Sequence, residues 1–467
     1  MNGHSTTNGN DNAAADTSKP VPLWIAGKQV QTETTFPVTS PTTTEHLWTS
    51  SSVSVPLALE ALDAAQTAFK TWRHATPATI RKILLRAADV FETRQDELAG
   101  YMKAETGALA NFAGFNTTQA IEVLRDVAGR SAHILGEIPK TSTPGTGAFI
   151  YKEPYGVIFG AAPWNAPYIL GLRAFIYAIA AGNTVVLKGS ELSPRTFWAL
   201  GSVMKEAGLP DGVLSVIYHR PEDAVAVTNA IIESAVVKKV NFTGSTLVGS
   251  IYASKAGKEL KPVLMELGGK ASAIVCEDAE VEGAAMQCAM GAFIHAGQVC
   301  MATERILEGE APVLVAKATV EKNHKLLADA VAKGGKVIAG DVDTREDSAY
   351  RMRPVIVSDV KKGMDLYYTE SFGPSVSLIA VESDEEAIEI ANDTEYGLSG
   401  AVFTQNLGRG LKIAKQIDSG AVHINSMSIH DEATLPHGGV KKSGWGRFNA
   451  QWGLEEFLKL KTVTYME

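Results

Sequence analysis

Apolar residues spaced three and four positions apart predict helices in the first quarter of the chain. From Val55 to Thr106 the segments ALEALDAAQTAFKTW and IRKILLRAADVFETRQDELAGYM carry this spacing, which is typical of amphipathic helices. We interpret them as structural packing helices. Residues 1–20 are instead polar and rich in Asn, Ser, Thr, Ala and Gly. Because such a segment buries too little apolar surface to offset the entropy of ordering, we expect a disordered tail.

Strand-like apolar runs alternate with helical segments between Gly156 and Gly249. The order is GVIFGAAP, YILGLRAFIYAIAAG, NTVVLKGS, a helix around 197–207, and KKVNFTGS. A second alternating block, SVSLIAVE, DEEAIEIAND and GLSGAVFT, follows between 375 and 404. This alternation indicates parallel sheets covered by helices, and therefore an α/β fold with two such domains.

Ligands of parallel sheets bind at the carboxyl ends of the strands. Asn165, Lys188 and Gly244 directly follow strand-like runs, so they are candidate site residues. A cleft between the two α/β domains is the expected place for the chemistry.

The length and net charge of the chain limit the classes of protein to which it can belong. A chain of 467 residues exceeds what one hydrophobic core usually serves, so two or more domains are expected. The net charge of -9, without a cluster of Lys and Arg, argues against a nucleic-acid partner. No apolar run approaches the roughly 18 residues that a membrane helix needs, and the first twenty residues lack an apolar signal core. With only three cysteines, the chain suits a reducing compartment, and we expect a cytoplasmic location.

One of the three cysteines has a setting suited to chemistry. Cys276 lies in the apolar run ASAIVC and Cys288 on the apolar side of AAMQCAMGAF, so both are expected in the core. Cys300, in GQVCMATERI, follows a small-residue turn and precedes a charged run. A catalytic cysteine acts as the thiolate, so we expect a partly exposed Cys300 near groups that lower its pKa from about 8.5. The alternative is a packing role, as for most free cysteines.

The segments GQVCMATERI and MELGGK, which contains Glu266, together resemble the aldehyde dehydrogenase superfamily. The resemblance continues, in the family's order, through PWNAP (163–167), VVLKGSELSP (185–194), FTGSTLVG (242–249), ESFGP (370–374) and PHGGVKKSGWGR (436–447). It implies the aldehyde dehydrogenase fold, with a Rossmann-like cofactor domain, an α/β catalytic domain and a small β oligomerisation extension.

The resemblance also implies domain boundaries. These are an NAD-binding domain of residues 21–135 and 153–266, a catalytic domain of 267–442, oligomerisation strands at 136–152 and 456–467, and a helix at 443–455 that returns to the NAD-binding domain. The catalytic domain is shortened after Arg305, where relatives continue with a strand, a helix and a loop. Because losing an amphipathic helix exposes the apolar surface it covered, the alternative reading is a catalytically impaired or non-enzymatic relative.

The mechanism implied by the resemblance begins with attack of the Cys300 thiolate on the aldehyde carbon. The Asn165 side-chain amide and the Cys300 backbone N–H hold the oxyanion, and Glu266 activates water to release the carboxylic acid. Since relatives that pass the acyl group to coenzyme A tend to lack this glutamate, Glu266 favours hydrolysis. No metal is expected.

The cofactor contacts implied by the resemblance include Gly244, Ser245 and Gly249 near the pyrophosphate, at a helix N-terminus where anions are favoured. Lys188 and Glu191 would lie by the adenine ribose, where a carboxylate repels a 2′-phosphate, so we expect NAD, with NADP less favoured. The full set of implied contacts is Trp164, Lys188, Glu191, Gly244, Ser245, Gly249, Leu267, Glu370 and Phe372. On the residues alone, GSTLVG is equally explained as a strand-to-helix turn, and Lys188 with Glu191 as a solvated ion pair.

The motifs KGSELSPR and PWNAP look most like the branch that includes salicylaldehyde and vanillin dehydrogenases, which implies a small aromatic aldehyde. Arg173 stands where many relatives carry tryptophan, and His437 replaces the phenylalanine of the usual PFGG. Both exchanges make the substrate funnel more polar, which favours a hydroxylated or acidic aromatic substrate. The alternatives are an Arg173 that points to solvent and a His437 that satisfies a backbone carbonyl. The expected substrate residues are Arg173, Tyr168, Val299, Met301 and His437.

The end of the chain, LEEFLKLKTVTYME, alternates in KTVTY, which is typical of an edge strand. In the family such a strand and the hairpin around 136–152 pair with another subunit. Because an unpaired edge strand favours association, we expect a homodimer or a homotetramer.

Overall fold

The computed structural model describes residues 19–303 and 311–466. The expected disordered tail falls almost entirely on residues 1–18, which lie outside the described residues. The shortened stretch after Arg305 falls on residues 304–310, which also lie outside them. No helix in the described ranges is long and apolar enough to cross a membrane.

The secondary structure consists of interleaved helices and strands. The helices are α1 (Val55–Trp72), α2 (Pro77–Thr93), α3 (Gln95–Thr106), α4 (Ala110–Arg130), α5 (Pro167–Arg173), α6 (Ile176–Ala180), α7 (Pro194–Glu206), α8 (Ala224–Glu233), α9 (Thr246–Lys258), α10 (Val281–Phe293), α11 (Lys317–Ala332), α12 (Asp365–Tyr368), α13 (Asp384–Asn392), α14 (Leu407–Ala414) and α15 (Ala450–Glu455). The strands are β1 (Leu23–Ile25), β2 (Lys28–Val30), β3 (Thr35–Thr39), β4 (His46–Ser51), β5 (Thr146–Pro154), β6 (Val157–Ala161), β7 (Thr184–Lys188), β8 (Leu214–Ile217), β9 (Val237–Thr243), β10 (Val263–Glu266), β11 (Ala273–Val275), β12 (Lys336–Ala339), β13 (Val355–Ser358), β14 (Ser375–Leu378), β15 (Ser399–Phe403), β16 (Ala421–Ile424), β17 (Gly444–Trp445) and β18 (Leu458–Met466).

The predicted helices between Val55 and Thr106 are confirmed as α1, α2 and α3. Ser54 caps α1 by accepting a hydrogen bond from the backbone N–H of Leu57, and Thr76 caps α2 in the same way. A proline in the first turn of each helix supplies a fixed φ and needs no hydrogen-bond partner. The apolar faces of these helices join the large core around the central sheet.

The central sheet has eight strands in the order β17-β10-β9-β6-β7-β8-β1-β2. The five strands from β10 to β8 are parallel, and the outer strands are antiparallel to their neighbours. Strands β6 and β7 are buried almost throughout, as expected for a parallel sheet covered on both faces. The chain builds the sheet outward from β6 in one direction, through β7 and β8, and then returns to add β9 and β10 on its other side. This reversal places a switch point, a common position for ligand sites, between the carboxyl ends of β6 and β9.

The second α/β region contains two three-stranded sheets, β11-β15-β16 and β12-β13-β14. Strands β14 and β15 and helix α13 confirm the second block predicted from the sequence. Strands β11 and β14 are edge strands, and a cavity of about 370 Å³ is bordered by residues 270–275 and 377–381. Just before the undescribed stretch, Thr303 forms a parallel bridge with Ala271 beside this cavity. Apolar side chains therefore line a void next to the stretch that lies outside the described residues.

The last strand, β18, pairs with β5 in an antiparallel ribbon that runs from Leu458 opposite Pro154 to Met466 opposite Thr146. The ribbon is separate from the other sheets, and β18 is exposed after its first residue. Helix α15, which precedes it, packs against α4 and α6.

Candidate active site

Cys300 lies in a tightly constrained loop after α10. Helix α10 ends in a short turn in which His295 and Ala296 have φ of 51° and 59°. The buried His295 ring stacks on Phe112 with a centroid distance of 4.6 Å, and burial lowers the pKa of His295 to about 3. Gly297 has φ of 72°, and a Cβ there would lie 2.5 Å from the Gly373 carbonyl oxygen, so only glycine fits. The loop leaves the Cys300 side chain partly exposed.

Gln298 anchors the Cys300 loop through hydrogen bonds, a role that was not predicted from the sequence. Its Oε1 accepts a hydrogen bond of 2.9 Å from the Val315 N–H, and its Nε2 donates to the His295 carbonyl oxygen over 3.1 Å. Its own carbonyl oxygen accepts a hydrogen bond of 3.0 Å from Asn165 Nδ2. Gln298 therefore joins the cysteine loop both to the loop after β6 and to the chain beyond the undescribed stretch.

Glu266 is the last residue of β10 and is only 1% exposed. Its Oε1 lies 3.4 Å from Cys300 Sγ and 3.3 Å from His437 Nε2. Strand pairing with both β9 and β17 fixes the backbone from which the carboxylate projects. The cysteine and the carboxylate singled out in the sequence are thus direct neighbours.

The electrostatic surroundings of Cys300 differ from the prediction. Burial of the sulfur raises the pKa of the Cys300 thiol well above its ordinary value, and the adjacent carboxylates of Glu266 and Glu370 raise it further. The expectation of neighbours that lower this pKa is therefore wrong, although Arg173 acts weakly in the predicted direction. The charge with the largest effect on the pKa of the thiol is that of the Glu266 carboxylate. A thiol with a raised pKa forms a thiolate near neutral pH only if a base takes its proton, and Glu266 is within reach.

Asn165 follows β6 and is buried, and it borders a cavity of about 300 Å³ together with Glu266 and Cys300. One N–H of its amide is engaged by the Gln298 carbonyl oxygen. An amide nitrogen carries two N–H donors, so this contact orients the side chain while leaving the second N–H for another acceptor.

The same cavity is lined by most of the expected cofactor residues: Trp164, Gly244, Ser245, Leu267, Glu370 and Phe372. Ser245 caps α9 by accepting from the Val248 N–H, so the positive end of the helix dipole faces this region. A Cβ on Gly249 would lie 2.3 Å from a Leu267 methyl group, so this glycine allows α9 to pack closely on the loop after β10.

The lining of the cavity suits a dinucleotide. The Thr243 hydroxyl is buried there without a hydrogen-bond partner among the described residues, so it is open to a ligand. Glu370 is oriented by a 2.9 Å hydrogen bond from the Gly269 N–H to its Oε1. Helix-terminal N–H groups, a hydroxyl and a carboxylate are the donor and acceptor set that phosphates and ribose hydroxyls require.

Lys188 and Glu191 form an ion pair of 3.7 Å at the end of β7, beside the cavity residue Leu192. Burial alone would raise the pKa of Glu191, but the Lys188 cation and a hydrogen bond to backbone hold it below its usual value. Glu191 therefore carries a negative charge near one end of the cavity. No group of three or more His, Cys, Asp or Glu that could hold a metal ion occurs in residues 19–303 and 311–466.

The structure contradicts the assignment of Tyr168 to the substrate funnel. The side chain is wholly buried, its hydroxyl donates to the Leu98 carbonyl oxygen over 2.7 Å, and its ring packs edge-on against Phe91. Tyr168 faces the helical core because it begins α5 on the side that packs against neighbouring helices.

Arg173 does not point to solvent. It is 2% exposed and forms a hydrogen-bonded ion pair with Asp431, and its guanidinium lies over the Phe448 ring. Its Nε has no partner among the described residues. Burial opposes ionisation of Asp431, but the Arg173 charge, the nearby His437 ring and hydrogen bonds from Arg173 and Asn449 together outweigh it and hold the pKa of Asp431 at about 2. Asp431 was not predicted, because its importance depends on a contact between distant parts of the chain.

The remaining expected substrate residues are Val299, Met301 and His437. Val299 is partly buried, and Met301 is 7% exposed within an apolar cluster that includes Leu398 and Ile429. The buried His437 ring contacts the Glu266 carboxylate rather than a backbone carbonyl.

Comparison with known proteins agrees with this geometry. The profile described as "Aldehyde dehydrogenase family" matches residues 24–311 and 308–463. A vanillin dehydrogenase from a Pseudomonas species is 40% identical over 95% of this chain and 97% of its own length. A salicylaldehyde dehydrogenase from Pseudomonas putida is 37% identical over 94% of this chain and 96% of its own.

Solved structures also match along the chain. The crystal structure of a salicylaldehyde dehydrogenase from Pseudomonas putida in complex with salicylaldehyde superposes with a TM-score of 0.92 at 35% identity, over 96% of this chain and 98% of the other. An NADP-dependent enzyme from E. coli superposes with a TM-score of 0.91 at 27% identity, over 96% and 98% of the two chains. The chain belongs to the aldehyde dehydrogenase family.

Proposed function

We propose that this protein oxidises a small aromatic aldehyde to its carboxylic acid, with NAD as the oxidant and a thioester on Cys300 as the intermediate. The observation that carries the proposal is the 3.4 Å contact between Cys300 Sγ and Glu266 Oε1 at a cavity that Asn165 also borders. A nucleophile, a base and an oxyanion donor in mutual reach are the parts that acyl chemistry requires.

In the first step Glu266 takes the thiol proton, and the sulfur of Cys300 bonds to the aldehyde carbon. The carbonyl π electrons move onto oxygen, giving a thiohemiacetal anion. The second Asn165 N–H and the Cys300 backbone N–H donate to this oxyanion, and the bond from Asn165 to the Gln298 carbonyl oxygen keeps the amide in place.

The dinucleotide, when bound, supplies the hydride acceptor. Gly244, Ser245 and the N-terminus of α9 would hold its pyrophosphate, and Glu370, Phe372 and Trp164 would hold the nicotinamide half. Lys188 and Glu191 would contact the adenine ribose. Gly249 and Leu267 support these contacts by fixing α9 against the loop after β10.

Before the final step Glu266 releases the thiol proton to solvent and becomes a carboxylate again. It then removes a proton from water, whose oxygen bonds to the thioester carbon. The C–S bond breaks, the carboxylic acid leaves, and Cys300 departs as the thiolate.

The aromatic substrate class rests on the relatives. The vanillin and salicylaldehyde dehydrogenases noted above, and a benzaldehyde dehydrogenase from Pseudomonas putida that is 34% identical over 87% of this chain, bear the names of aromatic aldehydes. The polar Arg173, Asp431 and His437 behind Glu266 favour a hydroxylated ring over an alkyl chain. Val299 and Met301 flank the thiol and would contact the ring.

NAD is proposed over NADP because the Glu191 carboxylate, paired with Lys188, would repel a 2′-phosphate if the adenine ribose binds beside it. We further propose that residues 21–135 and 153–266 form the cofactor domain and that 267–442 form the catalytic domain. The exposed β5–β18 ribbon supports a homodimer or homotetramer, which light scattering on the purified protein would test. Three free cysteines support a cytoplasmic location.

The substrate proposal is tested with purified protein, NAD and a panel of benzaldehyde, salicylaldehyde, vanillin and hexanal. We expect NADH formation with the aromatic aldehydes, stoichiometric with carboxylic acid, and much slower turnover of hexanal. Faster oxidation of hexanal than of every aromatic aldehyde would contradict the proposed substrate class.

A further inference from the structure

His437 contacts the same carboxylate oxygen that faces the nucleophile. Its Nε2 lies 3.3 Å from Oε1 of Glu266, and Cys300 Sγ lies 3.4 Å from that oxygen. His437 is 8% exposed and Glu266 is 1% exposed, so water does not screen this contact. The imidazole is therefore in position to influence the base directly.

The backbone holds both residues of this contact in place. The N–H of His437 donates to the Phe448 carbonyl oxygen, and the Phe448 N–H donates back, over 3.0 and 2.8 Å. Between these two positions the chain forms β17, in which Gly444 pairs with Glu266 itself. A Cβ at Gly444 would lie 2.0 Å from the Met265 carbonyl oxygen, so this close strand pairing depends on glycine. One hairpin-like segment thus carries the imidazole to the strand that carries the base.

Charged groups surround the imidazole on several sides. Glu266 and, beyond it, Cys300 lie on one side, and the ion pair of Asp431 with Arg173 interacts with it from another. His423 is also within electrostatic range, but burial and its histidine neighbours lower the pKa of His423 to about 4, so it stays neutral near pH 7. His437 is the imidazole that contacts the Glu266 carboxylate directly.

We propose that His437 is a positioning residue that tunes Glu266 during thioester hydrolysis, a step that rests on the proposed function. The imidazole donates its Nε2–H to Oε1 and so orients the carboxylate toward the attacking water. Hydrolysis of the thioester is therefore slower in a variant that lacks this donor.

The test uses p-nitrophenyl acetate, which acylates the thiol without any cofactor. The burst of nitrophenolate reports acylation of Cys300, and the steady rate reports hydrolysis of the acyl-enzyme. His437→Phe keeps a ring of similar size but removes the donor, so we expect a burst of unchanged amplitude and a steady rate at least tenfold lower at pH 8, as for a lost hydrogen bond to a charged group. His437→Gln keeps an N–H donor, so its steady rate stays near the parent value.

His430→Gln is the matched control, because His430 pairs with Glu432 at the surface, and we expect parent behaviour from it. If His437→Phe misfolds, as judged by thermal melting, His437→Ala, which also lacks the donor, takes its place. A steady rate equal to that of the parent in a folded variant without the donor would overturn the inference. If the parent itself gives no burst that Cys300→Ala abolishes, the proposed function fails instead.

Discussion

The Sγ atom of Cys300 lies 3.4 Å from Oε1 of Glu266, and this contact couples the pKa of the thiol to the carboxylate. Burial raises the pKa of the thiol, and the carboxylate raises it further, so the protonated thiol is favoured near neutral pH. In the proposed mechanism the thiol is therefore unreactive until Glu266 takes its proton.

Alkylation of Cys300 by iodoacetamide tests this relationship. Because the pKa of the thiol is raised, we expect a rate that keeps rising with pH above about 8.5, the ordinary cysteine value. Glu266→Gln removes the negative charge, so the midpoint of the pH profile moves to lower pH. Glu191→Gln, which is isosteric and is not among the charges that act on the thiol, leaves the profile unchanged. A midpoint that moves upward in Glu266→Gln would contradict this account.

Asn165→Ala removes the side-chain donor proposed for the oxyanion. We expect kcat for aldehyde oxidation to fall about a hundredfold or more, the usual effect of losing one such donor. The substitution also frees the Gln298 carbonyl oxygen, so stability is measured in parallel by thermal melting. Asn165→Asp keeps the shape but has no N–H, and it should lose activity to a similar extent. Full activity in Asn165→Asp would exclude this donor role.

Glu191→Gln tests the basis of cofactor preference. Removing the carboxylate removes the repulsion of a 2′-phosphate, so kcat/KM with NADP should rise about tenfold relative to NAD. Glu222→Gln, another surface carboxylate in the cofactor half of the chain, is the control. An unchanged NADP to NAD ratio in Glu191→Gln would show that other residues set the preference.

Asp431 should make stability depend on pH. Its pKa is lowered from 3.8 to about 2, so ionised Asp431, with Arg173 as its main partner, contributes about 2 kcal/mol of stability that is complete above pH 4. The contribution is lost as pH falls from 4 toward 2. Asp431→Asn removes this dependence and leaves Arg173 buried without its partner, which should cost about 3 to 5 kcal/mol near pH 7. Urea unfolding measures both effects.

The control for Asp431→Asn is the double substitution Arg173→Met with Asp431→Leu, which removes both charges and should recover most of the lost stability. If the single and double variants were equally unstable, the loss would arise from packing rather than from an unpaired cation.

The sequence predicted the α/β blocks well because long apolar runs and helical spacing are local signals. Strand β8 and helix α8 were not predicted. The sequence of β8, LSVI, is only four residues long, and such a short run has no clear hydrophobic period. The position of Cys300 beside Glu266 followed from recognised motifs, and the structure places the two in contact.

Features that depend on contacts between distant residues could not be predicted. Tyr168 follows a motif associated with the site, yet its side chain turns into the helical core. The partner of Arg173 lies 258 residues further along the chain. The raised pKa of Cys300 results from burial and from two carboxylates brought together by folding, and no local pattern carries that information.

The central claim is that Cys300 forms the bond to the aldehyde, and it is tested by NADH formation from vanillin and NAD in the parent, Cys300→Ala and Cys276→Ala. Cys276 is buried elsewhere, beside β11, and serves as the matched control. We expect the parent and Cys276→Ala to produce NADH and vanillic acid at similar rates, with at least a thousandfold loss in Cys300→Ala. NADH formation by Cys300→Ala at the parent rate would contradict the account.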